Sequence, residues 1–261
     1  MQVYYEHLSE IDHYIQESEK AAGHSLDSHD ETFTRYLRQI APGVHKFDGS
    51  TRVLEVGIGT GWFPIMCTMR GLQCKGIDIS PQLVEYARKW GQSVGVVPDV
   101  EVGNIENCPL DECTYDAIIA SSVFEHVENW RLGLRRLYLA LKPGGVLYFE
   151  STNKFSFAQG EYKFPLYSWL PDRLRYKLRM VIDDPNIMKL GIDFNQFRFS
   201  QLRQEFERVG FSKILDRIEM SQEDMVSTKL RKVMVRVSRR IPLLKTLTLT
   251  FCDGTRFLCF K

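Results

Sequence analysis

The chain has 261 residues, and its 34 lysines and arginines nearly balance its 33 aspartates and glutamates. Apolar residues make up 44% and charged residues 26%, which excludes disordered, collagen-like and coiled-coil structure. No window approaches the roughly 20 uncharged apolar residues of a membrane span, and the first residues lack the apolar run of a signal peptide. The six cysteines include no CxxC pair. These features predict a cytoplasmic protein with reduced cysteines.

Helical and strand-like patterns alternate along the chain after a helical start. Apolar spacing predicts helices over 1–48, with a capping box at 28–31. The predicted strands then cover Arg52–Val56, 74–79, 99–103, 115–120 and 146–150, and the helices between them cover 62–70, 82–94 and 129–141. This alternation indicates an α/β fold with a parallel sheet covered on both faces.

The chain after residue 150 has a different composition. Residues 151–200 contain ten aromatic residues, and aromatic residues make up only 12% of the whole chain. A helix over 200–209, a strand near 213–220, a basic amphipathic helix over 225–240 and a strand near 255–260 are predicted beyond them. We therefore expect a helical cap (1–48), a core (49–150), an aromatic-rich insertion (151–200) and a C-terminal part of the core sheet (201–261).

The most informative segment is a glycine-rich turn after the first predicted strand. Gly57, Gly59 and Gly61 let the backbone adopt positive φ and let a ligand approach closely. The dinucleotide fingerprint GxGxxG would need a glycine at the position of Trp62. Glu55, at the strand end, is a poor neighbour for a pyrophosphate and a good one for a cationic amine. The turn therefore indicates a ligand without a diphosphate.

Polar side chains also follow the next two strands. Asp78 comes at the end of the second strand, where a carboxylate can accept hydrogen bonds from both ribose hydroxyls. After the third strand, Asn104 can reach an adenine edge while Ile105 packs on the adenine face. Together with the glycine turn, these residues predict a pocket for adenine, ribose and an amino-acid tail.

In combination, these motifs resemble those of class I S-adenosylmethionine-dependent methyltransferases. The resemblance covers about residues 50–150, including 124–127 and the Leu-Lys-Pro-Gly-Gly run at 141–145. It implies a Rossmann-like, seven-stranded, mostly parallel sheet with a reversed last strand. It also implies S-adenosylmethionine as cofactor, with S-adenosylhomocysteine as product. The implied cofactor-binding residues are Glu55, Gly57, Gly59, Gly61, Asp78, Ile79, Asn104, Ile105 and Ser121.

The candidate catalytic residues are His126 and Glu125, just past the fourth strand. The ordinary pKa of histidine suits a general base; the alternative is a structural pair that begins the next helix. The stretch 122–127 is similar to the ubiquinone-biosynthesis O-methyltransferases, as is 150–153. That branch is linked to a divalent metal and carries a further glutamate where this chain has Ser122. No metal is therefore expected.

The insertion lies where this family builds its substrate cover. Its aromatic residues favour an aromatic or apolar acceptor, although they could equally form the core of an inserted subdomain. The candidate substrate-binding residues are Tyr162, Tyr167, Arg198 and Asn153. The N-terminal cap is expected to close over the cofactor, with Tyr14, Arg35 and Tyr36 as cover residues. The helix over 225–240 could contact an anionic membrane surface, the alternative being that it covers the sheet.

The function indicated is methyl transfer to a small molecule, most simply to a phenol or carboxylate oxygen of an aromatic or apolar metabolite. The alternatives are N- or C-methylation of a small molecule, RNA methylation, and a catalytically silent partner subunit that binds S-adenosylmethionine. DNA is not an expected partner, because residues 121–124 read Ser-Ser-Val-Phe where exocyclic-amine methyltransferases have an Asn/Asp-Pro-Pro-aromatic run. A homodimer stays open.

Overall fold

A computed structural model describes residues 11–12, 15–16, 25–44, 47–157, 166–171, 173–175, 177, 195–221 and 229–261. The strands are β1 (Arg52–Val56), β2 (Gln73–Asp78), β3 (Asp99–Val102), β4 (Tyr115–Ser121), β5 (Leu141–Ser151), β6 (Lys213–Asp216) and β7 (Thr255–Phe260). The helices are α1 (Asp30–Ile40), α2 (Trp62–Met69), α3 (Pro81–Ser93), α4 (Trp130–Ala140), α5 (Phe199–Val209), α6 (Arg217–Met220), α7 (Lys229–Arg240) and α8 (Pro242–Phe251).

The seven strands form a single sheet in the order β3-β2-β1-β4-β5-β7-β6. The pairs among β1 to β5 are parallel, whereas β7 runs antiparallel to both β5 and β6. The predicted seven-stranded sheet with a reversed last strand is therefore confirmed. Parallel pairing brings the carboxyl ends of β1, β2, β3 and β4 to one edge of the sheet, which is where α/β proteins bind ligands.

Each face of the sheet is covered by an apolar layer. On one face, α1 contributes Phe33, Tyr36 and Ile40, which are spaced three and four residues apart and so lie on one side of the helix. On the other face, Phe124 and Phe149 pack with residues of α4 and α5. This two-sided burial explains why β4 reads as a nearly continuous apolar run.

The N-terminal region differs from its prediction at residues 28–31. The N-cap of α1 is His29, whose side chain makes no capping hydrogen bond. The hydroxyl of Ser28 instead donates to the carbonyl of Ser25, within a 3-10 turn at Leu26–His29. The predicted capping box is therefore wrong. Apart from 11–12 and 15–16, residues 1–24 lie outside the described part of the chain.

The strand predicted near 213–220 is shorter than expected. It ends at Asp216 because that side chain caps α6, accepting hydrogen bonds from the backbone N–H groups of Ile218 and Glu219. The Glu219 carboxylate accepts in return from the backbone N–H of Asp216, which completes a capping box. Helix initiation therefore takes over where the apolar pattern still suggests a strand.

The C-terminal region contains two helices. One is α7, which lies within the predicted basic helix, and the other is α8, which no sequence pattern predicts. Helix α7 begins at Lys229, the predicted start at 225–228 lying outside the described residues, and it packs against α6 and α8. In α8, Leu and Thr alternate as in a strand, but Pro242 occupies the first turn and each Thr hydroxyl donates to the carbonyl four residues earlier. Within the described residues, no helix has both the length and the apolar character to cross a membrane.

Candidate active site

The glycine turn after β1 adopts the conformation that its sequence indicates. Gly57, Gly59 and Gly61 all have positive φ, between 52° and 80°. A Cβ added to Gly57 would lie 2.4 Å from Cγ2 of Val123, and one added to Gly61 would lie 2.3 Å from Cβ of Ala87. Glycine is therefore required both by the backbone angles and by the close packing of the turn against the β4 loop and α3.

Asp78, at the end of β2, lies beside this turn. One carboxylate oxygen accepts a hydrogen bond from the backbone N–H of Gly59 at 3.2 Å, and the other accepts from that of Ser80 at 2.9 Å. Burial nevertheless raises the pKa of Asp78 to about 6, although the backbone donors oppose the shift. The next residue, Ile79, is exposed. A fixed carboxylate is thus held at the edge of the sheet.

Glu55, near the end of β1, is a second buried carboxylate. Its Oε2 atom has no hydrogen-bond partner among the described residues. Burial raises the pKa of Glu55 well above its usual range, with smaller contributions from Cys67 and Asp78. Such an oxygen is costly to bury unless a ligand supplies the missing donor. The site therefore suits a ligand that brings an ammonium group to Glu55.

The third strand contributes Asn104 and Ile105. The Asn104 side-chain oxygen accepts a hydrogen bond from the backbone N–H of Glu106 at 2.9 Å, which fixes the orientation of the side chain. The Ile105 side chain is buried in the same apolar cluster as Phe124 and Leu134. Asn104 is thus the more open of the two candidate adenine contacts.

Helix α1 covers the end of β4. The Tyr36 hydroxyl donates to the Ser121 hydroxyl at 3.0 Å, and burial raises the pKa of Tyr36 to about 12. The Tyr36 ring packs against Trp62 and Tyr148, while the Arg35 guanidinium lies 5.9 Å from its centroid. Of the predicted cover residues, Tyr36 thus lies against the end of β4, Arg35 is exposed beside the Tyr36 ring, and Tyr14 lies outside the described residues.

A charged network beside Tyr36 was not predicted from the sequence. The Tyr148 hydroxyl donates to Glu150 at 2.8 Å, and the Arg256 guanidinium donates to the other oxygen of the same carboxylate. Tyr36, Ser121 and Glu150 thus meet at the end of the central strands. The one sequence signal for this network is Glu150, the acidic residue that ends the fifth predicted strand. Arg256 is 106 positions away from it, so no local pattern connects the two residues.

The two candidate catalytic residues lie in different environments. Glu125 is fully buried, and its carboxylate accepts a hydrogen bond from the Ser151 hydroxyl at 2.6 Å. The Asn195 side chain donates to the backbone carbonyls of Phe124 and Val127, which fixes the loop around the pair. His126 is partly exposed on this fixed loop. Ser151 and Asn195 are supporting residues that sequence patterns missed.

The candidate substrate residues that the structure describes do not converge on one place. The buried Asn153 amide donates to the carbonyls of Leu249, Thr250 and Cys252, and so holds the end of α8. The buried Tyr167 hydroxyl donates to the carbonyl of Arg175. Tyr162 lies outside the described residues.

Arg198 has a different position, at the N-cap of α5. Its guanidinium lies 5.6 Å from the centroid of the Phe155 ring. Arg198 also lines a polar surface cavity of about 410 Å³, together with Lys154, Gln196, Ser200, Gln201 and Gln204. Over the residues that the structure describes, no group of three or more His, Cys, Asp or Glu side chains is arranged to hold a metal ion.

Comparison with known proteins bears on the same part of the chain. Residues 54–149 match a family model described as a methyltransferase domain. A ubiquinone biosynthesis O-methyltransferase from Xanthomonas axonopodis pv. citri is 33% identical over 104 residues, which are 40% of this chain and 44% of that protein. A counterpart from Xanthomonas oryzae pv. oryzae matches to the same extent. The chain thus spans less than half the length of these curated relatives.

Solved structures share the fold over a longer stretch. A SAM-dependent methyltransferase from Archaeoglobus fulgidus superimposes with a TM-score of 0.55 and 18% identity, covering 95% of this chain and 99% of that one. Phosphoethanolamine N-methyltransferase 2 from Haemonchus contortus, solved with S-adenosyl-L-methionine, gives a TM-score of 0.54 at 15% identity, covering 88% and 51%. At these identities the likeness shows a common Rossmann-like fold.

Proposed function

We propose that this chain, whose residues 54–149 match a methyltransferase-domain family model, transfers a methyl group from S-adenosylmethionine to a small-molecule acceptor. The observation that carries the proposal is the pair of buried carboxylates at the ends of β1 and β2. Glu55 has an oxygen without a partner among the described residues, and Asp78 is held beside the glycine turn.

The chemistry of these residues fits the cofactor. Glu55 would accept hydrogen bonds from the methionine ammonium, which would also favour the charged form of its buried carboxylate. Asp78 would accept from the ribose hydroxyls, and Asn104 would contact the adenine. The turn at Gly57 and Gly59 presents backbone without side chains to the methionine end. When bound, S-adenosylmethionine would supply an electrophilic methyl group on its sulfonium.

The protein's main task is then to hold an acceptor in line with that methyl group. Positioning of this kind can supply several kcal/mol of barrier reduction. A base is needed only for an acceptor protonated at working pH, such as a phenol. His126 is the candidate for that base, because its loop is fixed by Asn195 and the neighbouring Glu125 is held by Ser151.

We propose an oxygen of an aromatic or apolar metabolite as the methylated atom. Support comes from the O-methyltransferase names of the relatives and from the rings of the insertion. Phe155 and Phe157, which follow β5, both pack on Trp169, and each of their ring centroids lies 5.4 Å from the Trp169 centroid. An amine acceptor that binds in its free, deprotonated form would leave the cofactor site unchanged and would not need His126.

The first experiment is calorimetric titration with S-adenosylmethionine and S-adenosylhomocysteine. We expect Asp78→Asn to lose roughly 2–4 kcal/mol of binding free energy, about 30- to 1000-fold in affinity, because the ribose loses an ionised acceptor. Asp111→Asn removes an exposed carboxylate from the loop before β4 and is the matched control, expected to bind as the wild type does. Absence of binding by folded wild-type protein would overturn the proposal. Tight binding without turnover on phenols, carboxylates and amines would favour the silent partner subunit.

A further inference from the structure

The helix pair α7–α8 exposes apolar side chains that the fold does not use. On α8, Leu243, Leu247 and Phe251 are 72%, 47% and 37% exposed, and their spacing of four residues places them on one side of the helix. A second exposed set with the same spacing consists of Val233 and Val237 on α7 and Ile241 directly after it.

The exposed stripe of α8 continues onto the insertion. The Phe251 ring stacks on Phe157 with centroids 5.4 Å apart, and Phe157 is itself 59% exposed. Trp169 stacks on Phe251 from the same region, at 6.0 Å. Leu243, Leu247, Phe251 and Phe157 therefore form one apolar ridge, larger than the scattered apolar residues of an ordinary surface.

The helix pair is also strongly basic. Residues 229–251 contain seven lysines and arginines and no aspartate or glutamate, although the chain as a whole has a net charge of only +1. The side chains of Arg236 and Arg240 are exposed beside the apolar sets. Cationic and apolar side chains on one surface match an anionic lipid surface, which offers phosphates above and acyl chains below.

The helix pair is fixed to the rest of the molecule by its other side. Lys245 forms ion pairs with Asp216 at 2.6 Å and Glu219 at 2.8 Å, and Leu249 is buried. Between the two helices, the hydroxyls of Ser238 and Thr248 are 3.4 Å apart. The apolar ridge is thus held outward by contacts that do not involve it.

We propose that α7 and α8 dock this protein on an anionic membrane surface. The apolar ridge enters the boundary between headgroups and acyl chains, and the arginines contact the lipid phosphates. An RNA-binding surface would need the cations but would gain nothing from exposed Leu243 and Phe251. The proposal does not rest on methyl transfer, and its test uses no cofactor.

The test is co-sedimentation of the full chain with phosphatidylcholine vesicles, with and without phosphatidylglycerol. We expect wild-type protein to pellet only with the anionic vesicles. Leu243→Ser/Leu247→Ser should weaken binding by about tenfold or more, because two inserted apolar side chains are lost. Arg236→Gln/Arg240→Gln should weaken binding similarly and reduce its dependence on salt. Met69→Ser/Val97→Ser removes two exposed apolar side chains elsewhere and should bind as wild type does.

Three results would overturn the proposal. The first is wild-type protein that stays in the supernatant with anionic vesicles at low salt. The second is an equal loss of vesicle binding in the Leu243→Ser/Leu247→Ser and Met69→Ser/Val97→Ser variants, which would show that the loss is not specific to the ridge. The third is a wild-type dimer, seen by light scattering, that becomes a monomer in Leu243→Ser/Leu247→Ser, because the ridge would then be covered by a second copy.

Discussion

The Asp78 carboxylate accepts a hydrogen bond from the backbone N–H of Gly59, so the end of β2 directly supports the turn that follows β1. The carboxylate that is the candidate ribose acceptor therefore also helps to hold the glycine turn in place. The charge on Asp78 affects both, because an ionised oxygen is the stronger acceptor for a backbone N–H and for a ribose hydroxyl.

The first prediction concerns the pH dependence of nucleoside binding. Burial raises the pKa of Asp78 to about 6, so the carboxyl group becomes neutral as the pH falls through that value. We expect adenosine affinity to fall below pH 6, by up to about tenfold per pH unit, if the ionised form binds. Competition titrations between pH 5 and 8 would measure it. A profile in Asp78→Asn as steep as that of the wild type would contradict the assignment.

The second prediction separates the two carboxylates. Glu55→Gln removes the charge that would face the methionine ammonium, so S-adenosylmethionine should bind at least about tenfold more weakly. Adenosine lacks that ammonium, and its affinity should change little. Calorimetry with both ligands on one variant contains its own control. Equal losses for the two ligands would show that Glu55 acts on the turn rather than on the methionine end.

The third prediction compares two glycines of positive φ. Gly71→Ala meets open space and should lower the free energy of unfolding by about 1–2 kcal/mol, the cost of a left-handed conformation in a residue with a Cβ. Gly61→Ala carries the same cost and also brings its Cβ to 2.3 Å from that of Ala87, so its loss should be about 1–3 kcal/mol larger. Urea unfolding of both variants measures the difference. Equal losses would place Ala87 farther from the turn.

The fourth prediction concerns His126 as a general base. With a phenol acceptor, His126→Gln should lower kcat by about 100- to 10,000-fold, because a bound proton must leave the nucleophile. With a carboxylate acceptor, already ionised, kcat should change little. The affinity for S-adenosylmethionine should be unchanged in both cases. A similar loss of kcat for both acceptors would assign His126 a structural role in the loop after β4.

Most strands and core helices could be predicted because their signals are local. The turn at Gly57, Gly59 and Gly61 combines an apolar strand with residues that tolerate positive φ, and the structure has that conformation. Helix α8 could not be predicted from periodicity, because its Leu-Thr alternation resembles a strand. Its hydroxyl–carbonyl hydrogen bonds form only once the helix exists.

The supporting contacts of the site could not be predicted from the sequence, for a different reason. The bond between Ser151 and Glu125 joins residues 26 apart, and that between Tyr36 and Ser121 joins residues 85 apart. Single serines and tyrosines carry no pattern, and only the strand order brings them together. The same holds for Asn153, a predicted substrate residue whose amide the structure uses to hold the end of α8.

The position of β7 between β5 and β6 has a consequence for how the molecule assembles. Glu150 and Arg256 pair across strands although 106 positions separate them. Until residues 255–260 arrive, one edge of β5 offers unpaired backbone groups flanked by Leu147 and Phe149. Such an edge can pair with other chains, and closing so long a loop is slow. We therefore expect refolding yield to fall with rising protein concentration. Pairing of β7 with β5 would be the step that covers the exposed edge and so stops aggregation.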